Sequence, residues 1–266
     1  MKKIKSYKYI FALALFCVLS GGTRIWAQIL WDVGAPDDNW ESPLNWVGGV
    51  VPGPGDNVDL TAATNVIING PLPVTVANIT MGSANLDIGA NSLTATSITN
   101  GTVSVAASGS ITSTITNVAI NTTGGTLSVN GSAASITGGC DITTTTGLTV
   151  TGTVSGSPDI TLSAGTLSIP NSANVVGTVT LASGTTLVAA GDIDILTIAG
   201  SATINATGGL DVTNNIMGSP NITLSAGTLS LNGGTNALGA VTNSGTIVVG
   251  ANSLTATSIT NGTVSV

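Results

Sequence analysis

The chain has no histidine, and its five basic residues all fall within the first 27 positions: Lys2, Lys3, Lys5, Lys8 and Arg24. Both phenylalanines and both tyrosines lie in that same stretch. Beyond it stand all twelve acidic residues and no base, a formal side-chain charge of −12. Each absence excludes a chemistry. Without His there is no Ser-His-Asp or Cys-His pair. Without Lys or Arg there is no Schiff base, no phosphate clamp and no cation to hold an oxyanion. Zinc sites built on Cys and His are excluded too. Nucleic acid and anionic lipid are held by Lys and Arg, so neither is expected as a partner. No carboxylate beyond residue 27 has a side-chain cation to pair with. Each must be solvated, hydrogen-bonded or bound to a metal ion. No cofactor is expected, because the Gly-rich turns follow neither phosphate-loop nor dinucleotide spacing.

Cysteine is also scarce. Cys17 lies in the N-terminal segment, which leaves Cys140 with no intramolecular disulfide partner. A lone exported thiol merits attention. In the alignment of the two long repeats described below, Cys140 matches Ala202, which suggests a small core position rather than a reactive one.

Residues 1–27 read as a secretory signal peptide. Four lysines form the basic region, and IFALALFCVL (10–19) forms the apolar one. That run is shorter than the ~20 residues a membrane span requires. Ala27 is the expected last residue removed, although Ile25 and Arg24 depart from the usual cleavage pattern. The chain is therefore expected outside the cell or on its surface.

What is abundant is Ser, Thr, Gly and Asn, set among regularly placed Ile, Leu and Val. The sequence repeats itself. GSPDITLSAGTLSIP (156–170) returns as GSPNITLSAGTLSLN (218–232). GANSLTATSITNGTVSV (89–105) returns unchanged at 250–266. In ITLSAGTLSI, Ile160, Leu162, Leu167 and Ile169 alternate with Thr and Ser, the period-two signature of a strand. The composition is poor for helix. A shorter element, Gly-Thr followed by alternating aliphatics, or a looser version of it, starts nine times from Gly101 to Gly262. The eight intervals average about 20 residues and range from 17 to 25. Such a period predicts an all-β, right-handed parallel β-helix of about 20-residue coils, each burying its aliphatic face only against its neighbours. The alternative is a β-sandwich with strands every 8–12 residues. The solenoid is preferred because a sandwich does not require its motifs to repeat. Regular burial of Ile, Leu and Val, worth about 1.5–3 kcal/mol each, argues against a disordered linker.

Residues 28–60 form a separate module, QILWDVGAPDDNWESPLNWVGGVVPGPGDNVDL, with Trp31, Trp40 and Trp46. Its pattern of WD, NW, SPLNW and VPGPGDNV resembles the start of many large bacterial surface proteins, the autotransporter-like and filamentous-haemagglutinin-like adhesins. The resemblance spans about 33 residues. It implies an exported, surface-attached protein whose solenoid (61–266) begins after this module. The three tryptophans have two readings. They cap the first coil, which would otherwise be a sticky edge, or their ring faces form a glycan-binding platform. The cap is preferred. Pro52 to Gly55 make a turn leading to a first strand with Val58 and Leu60.

Three carboxylate pairs are candidates for glycoside hydrolysis or calcium: Asp192 with Asp194, Asp37 with Asp38, and Asp56 with Asp59. A solvated face is the preferred reading of each, and no catalytic or metal residue is assigned. The expected function is a secreted or cell-surface structural and adhesive rod, not an enzyme, with glycans or proteins as partners. Two alternatives stand beside it. One is the non-catalytic part of a polysaccharide-degrading β-helix enzyme. The other is an ice-binding solenoid, suggested by the many threonines and opposed by the irregular 17–25 spacing. Because the second GANSLTATSITNGTVSV ends at Val266, the reading frame is expected to continue into further repeats. The open last coil is expected to self-associate.

Overall fold

The alternation of aliphatic and hydroxyl residues sends every second side chain inward, and Gly, Asn and Ser corners turn the strand before it runs far. The computed structural model describes residues 28–266, apart from 35, 72, 107–108, 123–125, 170–173 and 251. The signal-peptide reading therefore lies outside the described residues. The strands stack as a parallel β-solenoid of about 11 turns with roughly 18 residues per turn. At ~4.8 Å per turn the stack is roughly 50 Å long. Among the described strands every ladder is parallel. The one antiparallel contact is an isolated bridge between Trp31 and Trp46. A sandwich of antiparallel sheets is thereby excluded.

Each coil has three strand faces. In one coil, face 1 is Asp159–Leu162, face 2 is Thr166–Ile169, and face 3 begins at Asn174, where the strand Asn174–Leu181 bends into face 1 of the next coil. Two side chains per face point inward, most of them aliphatic. The predicted core positions Leu162, Leu167, Ile169, Leu224, Leu229 and Leu231 are all buried. Stacked in register, they build columns. On face 2, Leu148, Leu167, Leu187, Ile204, Ile222 and Val241 follow one another coil by coil.

The coil is shorter than the motif count suggests. On face 1 the inward column runs from Val74 to Leu254 in ten steps, 18 residues on average, with single steps of 15 to 20. The Gly-Thr element migrates between faces. It precedes face 3 at Val103, face 1 at Leu127, face 2 at Leu148 and face 3 again at Leu210. One whole coil is lost in that drift, which lengthens the apparent period to 20. The long repeat is rotated in the same way. Ile160 and Leu167 of its first copy occupy faces 1 and 2, whereas Ile222 and Leu229 of its second occupy faces 2 and 3. The repeating unit is thus two strands and a corner, and any of the three corners accepts it.

Corners bring backbones close together. Gly200 has φ +115°, and a Cβ built there would collide with the carbonyl of Leu181 one coil earlier. Only glycine tolerates both conditions.

Three asparagines occupy inward column positions and are fully buried: Asn174 on face 3, Asn236 on face 1 and Asn243 on face 2. The Oδ1 of Asn236 accepts the Ile216 backbone N–H at 3.0 Å, and its Nδ2 donates to the Gly233 carbonyl at 3.0 Å. The Oδ1 of Asn174 accepts the Val154 backbone N–H. Asn174 and Asn236 each lie 20 residues beyond the amide they serve. The side-chain amide takes the place of the missing ladder carbonyl. Asn236→Leu should therefore destabilise the protein although the column is otherwise aliphatic. The buried Ile216 N–H would lose its acceptor, at a cost of about 1–3 kcal/mol. Denaturant unfolding would measure this, and unchanged stability would show that the bond adds nothing.

Candidate functional site

The N-terminal segment stacks on the first coil. The strand Gln28–Leu30 pairs with Asn57–Asp59, which pairs in turn with residues 78–80. Asn39 bridges Ile67, and the Trp40 N–H donates to the Ile67 carbonyl at 2.8 Å. The ladders continue through position 60 without a break: Val58 and Leu60 are both core residues.

The three tryptophans lie inside this segment, with exposures of 5% for Trp31, 1% for Trp40 and 2% for Trp46. Trp46 is central. Its ring meets Trp31 and Trp40 edge to face, both with centroids 4.9 Å apart, and its Nε1–H donates to the Trp40 carbonyl at 2.7 Å. Edge-to-face contact is the favoured aromatic geometry. A sugar platform needs exposed ring faces, and burial leaves none on Trp31, Trp40 or Trp46. The glycan role read from these residues is therefore corrected to packing over the first coil. An open depression of about 330 Å³ does lie beside them, walled by Val51, Pro52, Pro54, Pro71 and Pro73 together with Trp40 and Glu41.

Each candidate carboxylate pair is divided between separate tasks. Asp37 accepts from Asn45 Nδ2 at 2.6 Å and from the Asn39 N–H at 2.9 Å, and these bonds, the Asn45 one first, lower its pKa. Asp38 accepts instead from Asn65 Nδ2. Asp56 holds the Gly53 N–H in the proline turn, while Asp59 accepts from Gln28 Nε2 and the Thr61 N–H. Asp192 and Asp194 flank inward Ile193, as the alternation predicts. Asp192 sits at the corner, bound to the Gly209 N–H at 2.8 Å, and Asp194 stands on face 3 in register with Asp211. Glu41 receives the backbone N–H groups of Asn69 and Gly70. Most of these acids are turn and corner acceptors. Among the described residues no group of three acidic, Cys or His side chains is placed to hold a metal ion.

Cys140 is buried at a corner, and so is its counterpart Ala202. Burial first, then the charges of Asp141 and Asp159, pushes its thiol up to about 12. It stays neutral throughout the neutral pH range, and the thiolate is the reactive form.

The side faces carry what sequence reading did not resolve. On face 2, Thr80, Thr99, Thr116, Ser132, Thr149 and Ser168 stand in register on six successive coils. After Val188 and Asn205, the same column resumes with Thr223, Thr242 and Thr260. A second outward column holds Asn78, Ser97, Thr114 and Asn130, in which Ser97 Oγ donates to Asn78 Oδ1 at 2.6 Å. Face 1 has a comparable ladder from Thr75 to Thr180. Irregular motif spacing was the reason for setting an ordered hydroxyl array aside. The irregularity is absorbed at the corners, so the array is present.

Among the described residues no helix is long and apolar enough to cross a membrane. Comparisons with family models, curated proteins and solved structures returned no match.

The tryptophan geometry makes a direct prediction. Trp40→Ala empties a buried aromatic site and should lower stability by about 3–5 kcal/mol, read as a shift in the denaturant midpoint. Unchanged unfolding with loss of a sugar ligand would restore the platform reading.

Proposed function

We propose that the chain is an exported, cell-surface structural and adhesive rod with no catalysis in this stretch. The observation that supports it most is the stack of paired strands from the tryptophan segment to the last coil, with rows of side chains presented along its length. The leader-like residues 1–27, the resemblance of residues 28–60 to surface adhesins and the lack of base after residue 27 support the same reading. Its partners are glycans or proteins met by the side faces, and nucleic acid is excluded on charge. Protease shaving of intact cells, followed by glycan and protein arrays, tests this. The expected result is removal of the chain from intact cells and retention on at least one array ligand. A chain found wholly inside the cell would overturn the reading.

We propose further that the 266-residue polypeptide, taken by itself, associates through its last coil. Ile259 is 39% and Val264 42% exposed, whereas Ile98 and Val103, which occupy the same places in the identical segment 89–105, are 0% and 1% exposed. The strands Ser253–Thr260 and Thr263–Ser265 pair on one side only among the described residues. Such an edge is a template for association. Sedimentation across a concentration series should show reversible self-association, weakened by Ile259→Lys. A monomer at all concentrations would refute it.

A further inference from the structure

We propose that face 2 is an ice-binding surface, its registered hydroxyl and amide ladders acting as a template for ordered water. This inference is independent of the surface-rod reading. Along the rod the outward residues repeat at the coil spacing of ~4.8 Å, and across it residues i and i+2 lie roughly 6.6 Å apart. Thr114 and Thr116, or Ser97 and Thr99, are such pairs, each in register with the pairs above and below. The result is a two-dimensional lattice of polar groups whose repeats are of the size found on the faces of an ice crystal.

Three further observations narrow the occupant to water. The first is charge. The chain carries twelve carboxylates, yet in the two outward columns described for face 2 Asp59, at the N-terminal end, is the one acid. Of the six acids beyond residue 60, Asp141 and Asp159 are stacked on face 1, Asp87, Asp194 and Asp211 stand on face 3, and Asp192 sits at a corner. A carboxylate orders water radially around itself and breaks a lattice, so face 2 is the face fit for one. Face 1 has its own ladder, but that Asp pair stands in the outward column beside it and exposed Met217 lies two coils beyond its end.

The second is the lack of aromatic residues on this face. A crystalline polysaccharide is gripped by flat aromatic rings, and the three tryptophans of the described chain are buried at the N-terminal end. The third is stiffness. Threonine has restricted χ1 rotation, and each side chain stands between neighbours above and below. The hydroxyl and methyl positions are therefore largely fixed before water arrives, and little entropy is lost on binding.

The test measures ice directly. The full chain should open a gap between melting and freezing points and inhibit ice recrystallisation. Thr116→Glu with Thr149→Glu places two charges on face 2 and should abolish both effects while leaving the β-type circular dichroism and the melting temperature near wild type. Thr149→Glu alone serves if the double variant does not fold. Thr137→Glu, an exposed position on face 3, should retain both effects. A folded wild type without ice activity overturns the proposal. So does activity that survives Thr149→Glu, or loss that is equal for Thr137→Glu. Retention on crystalline cellulose or chitin without ice activity also overturns it and identifies a polysaccharide surface instead.

Discussion

In-register parallel stacking is the constraint on which the rest of this protein depends. The hydrogen bonds that join one coil to the next also bring its aliphatic columns together, so polar satisfaction and apolar burial arise in one step. Neither is available to a coil by itself. The duplicated segment makes this concrete. GANSLTATSITNGTVSV occupies the same three faces at 89–105 and 250–266, with Leu93, Ile98 and Val103 matching Leu254, Ile259 and Val264. Where the coil carrying Ile111, Ile115 and Ile120 lies over it, the three are buried; in the second copy Ile259 and Val264 are exposed and Leu254 is half-buried. Identical sequence reaches two burial states, and the neighbour alone decides. At about 25 cal/mol per Å² of apolar surface, that neighbour accounts for most of a coil's stability.

Wherever stacking is imperfect, a specific residue compensates. At the N-terminal end Trp46 packs edge to face against both Trp31 and Trp40 and donates one hydrogen bond to the Trp40 carbonyl, and all three indoles are buried in the same core. Within the stack, Asn174 and Asn236 insert a side-chain carbonyl where a backbone one is missing. A buried amide without an acceptor costs more than the polar side chain that rescues it. The tight corners use glycine instead, because the preceding coil leaves no room for a Cβ. The carboxylates fit the same scheme. With no cation beyond residue 27, they accept backbone N–H groups at turns and at coil-to-coil contacts, as Asp56, Asp159 and Asp192 do.

The strand character, the stacked architecture and the inward leucines were legible in the sequence because alternation is a local signal and each of those residues carries it. The coil length was not, because the Gly-Thr element marks a corner and the coil has three. Counting corners as coils lost one turn between Gly101 and Gly262. Asn174 and Asn236 were illegible for a related reason. Only the register of the next coil, 20 residues away, shows that their side chains replace a ladder carbonyl. The burial of Trp31, Trp40 and Trp46 was anticipated by the capping reading. Their alternative role depended on exposure, which sequence does not report. The hydroxyl ladders were hidden by the same slip as the coil length, since they appear only when residues are counted by face.

Faces and corners therefore obey different rules, and this separation is what lets a degenerate repeat build a regular object. A face is held by its two neighbours through hydrogen bonds at fixed spacing, so a one-residue slip would turn its aliphatic side chains outward. Selection for burial keeps it in register. A corner faces solvent on one side and tolerates insertion, so successive steps on face 1 vary from 15 to 20 residues without disturbing the columns. Outward side chains inherit the regularity of the inward ones although no core packing selects them. Any surface property that needs a lattice is then within reach of ordinary substitution, because the backbone already supplies the spacing. The uneven placement of acids is the informative residue of that freedom. Carboxylates that serve corners and coil-to-coil contacts are found on faces 1 and 3, whereas the two outward ladders of face 2 hold none beyond Asp59.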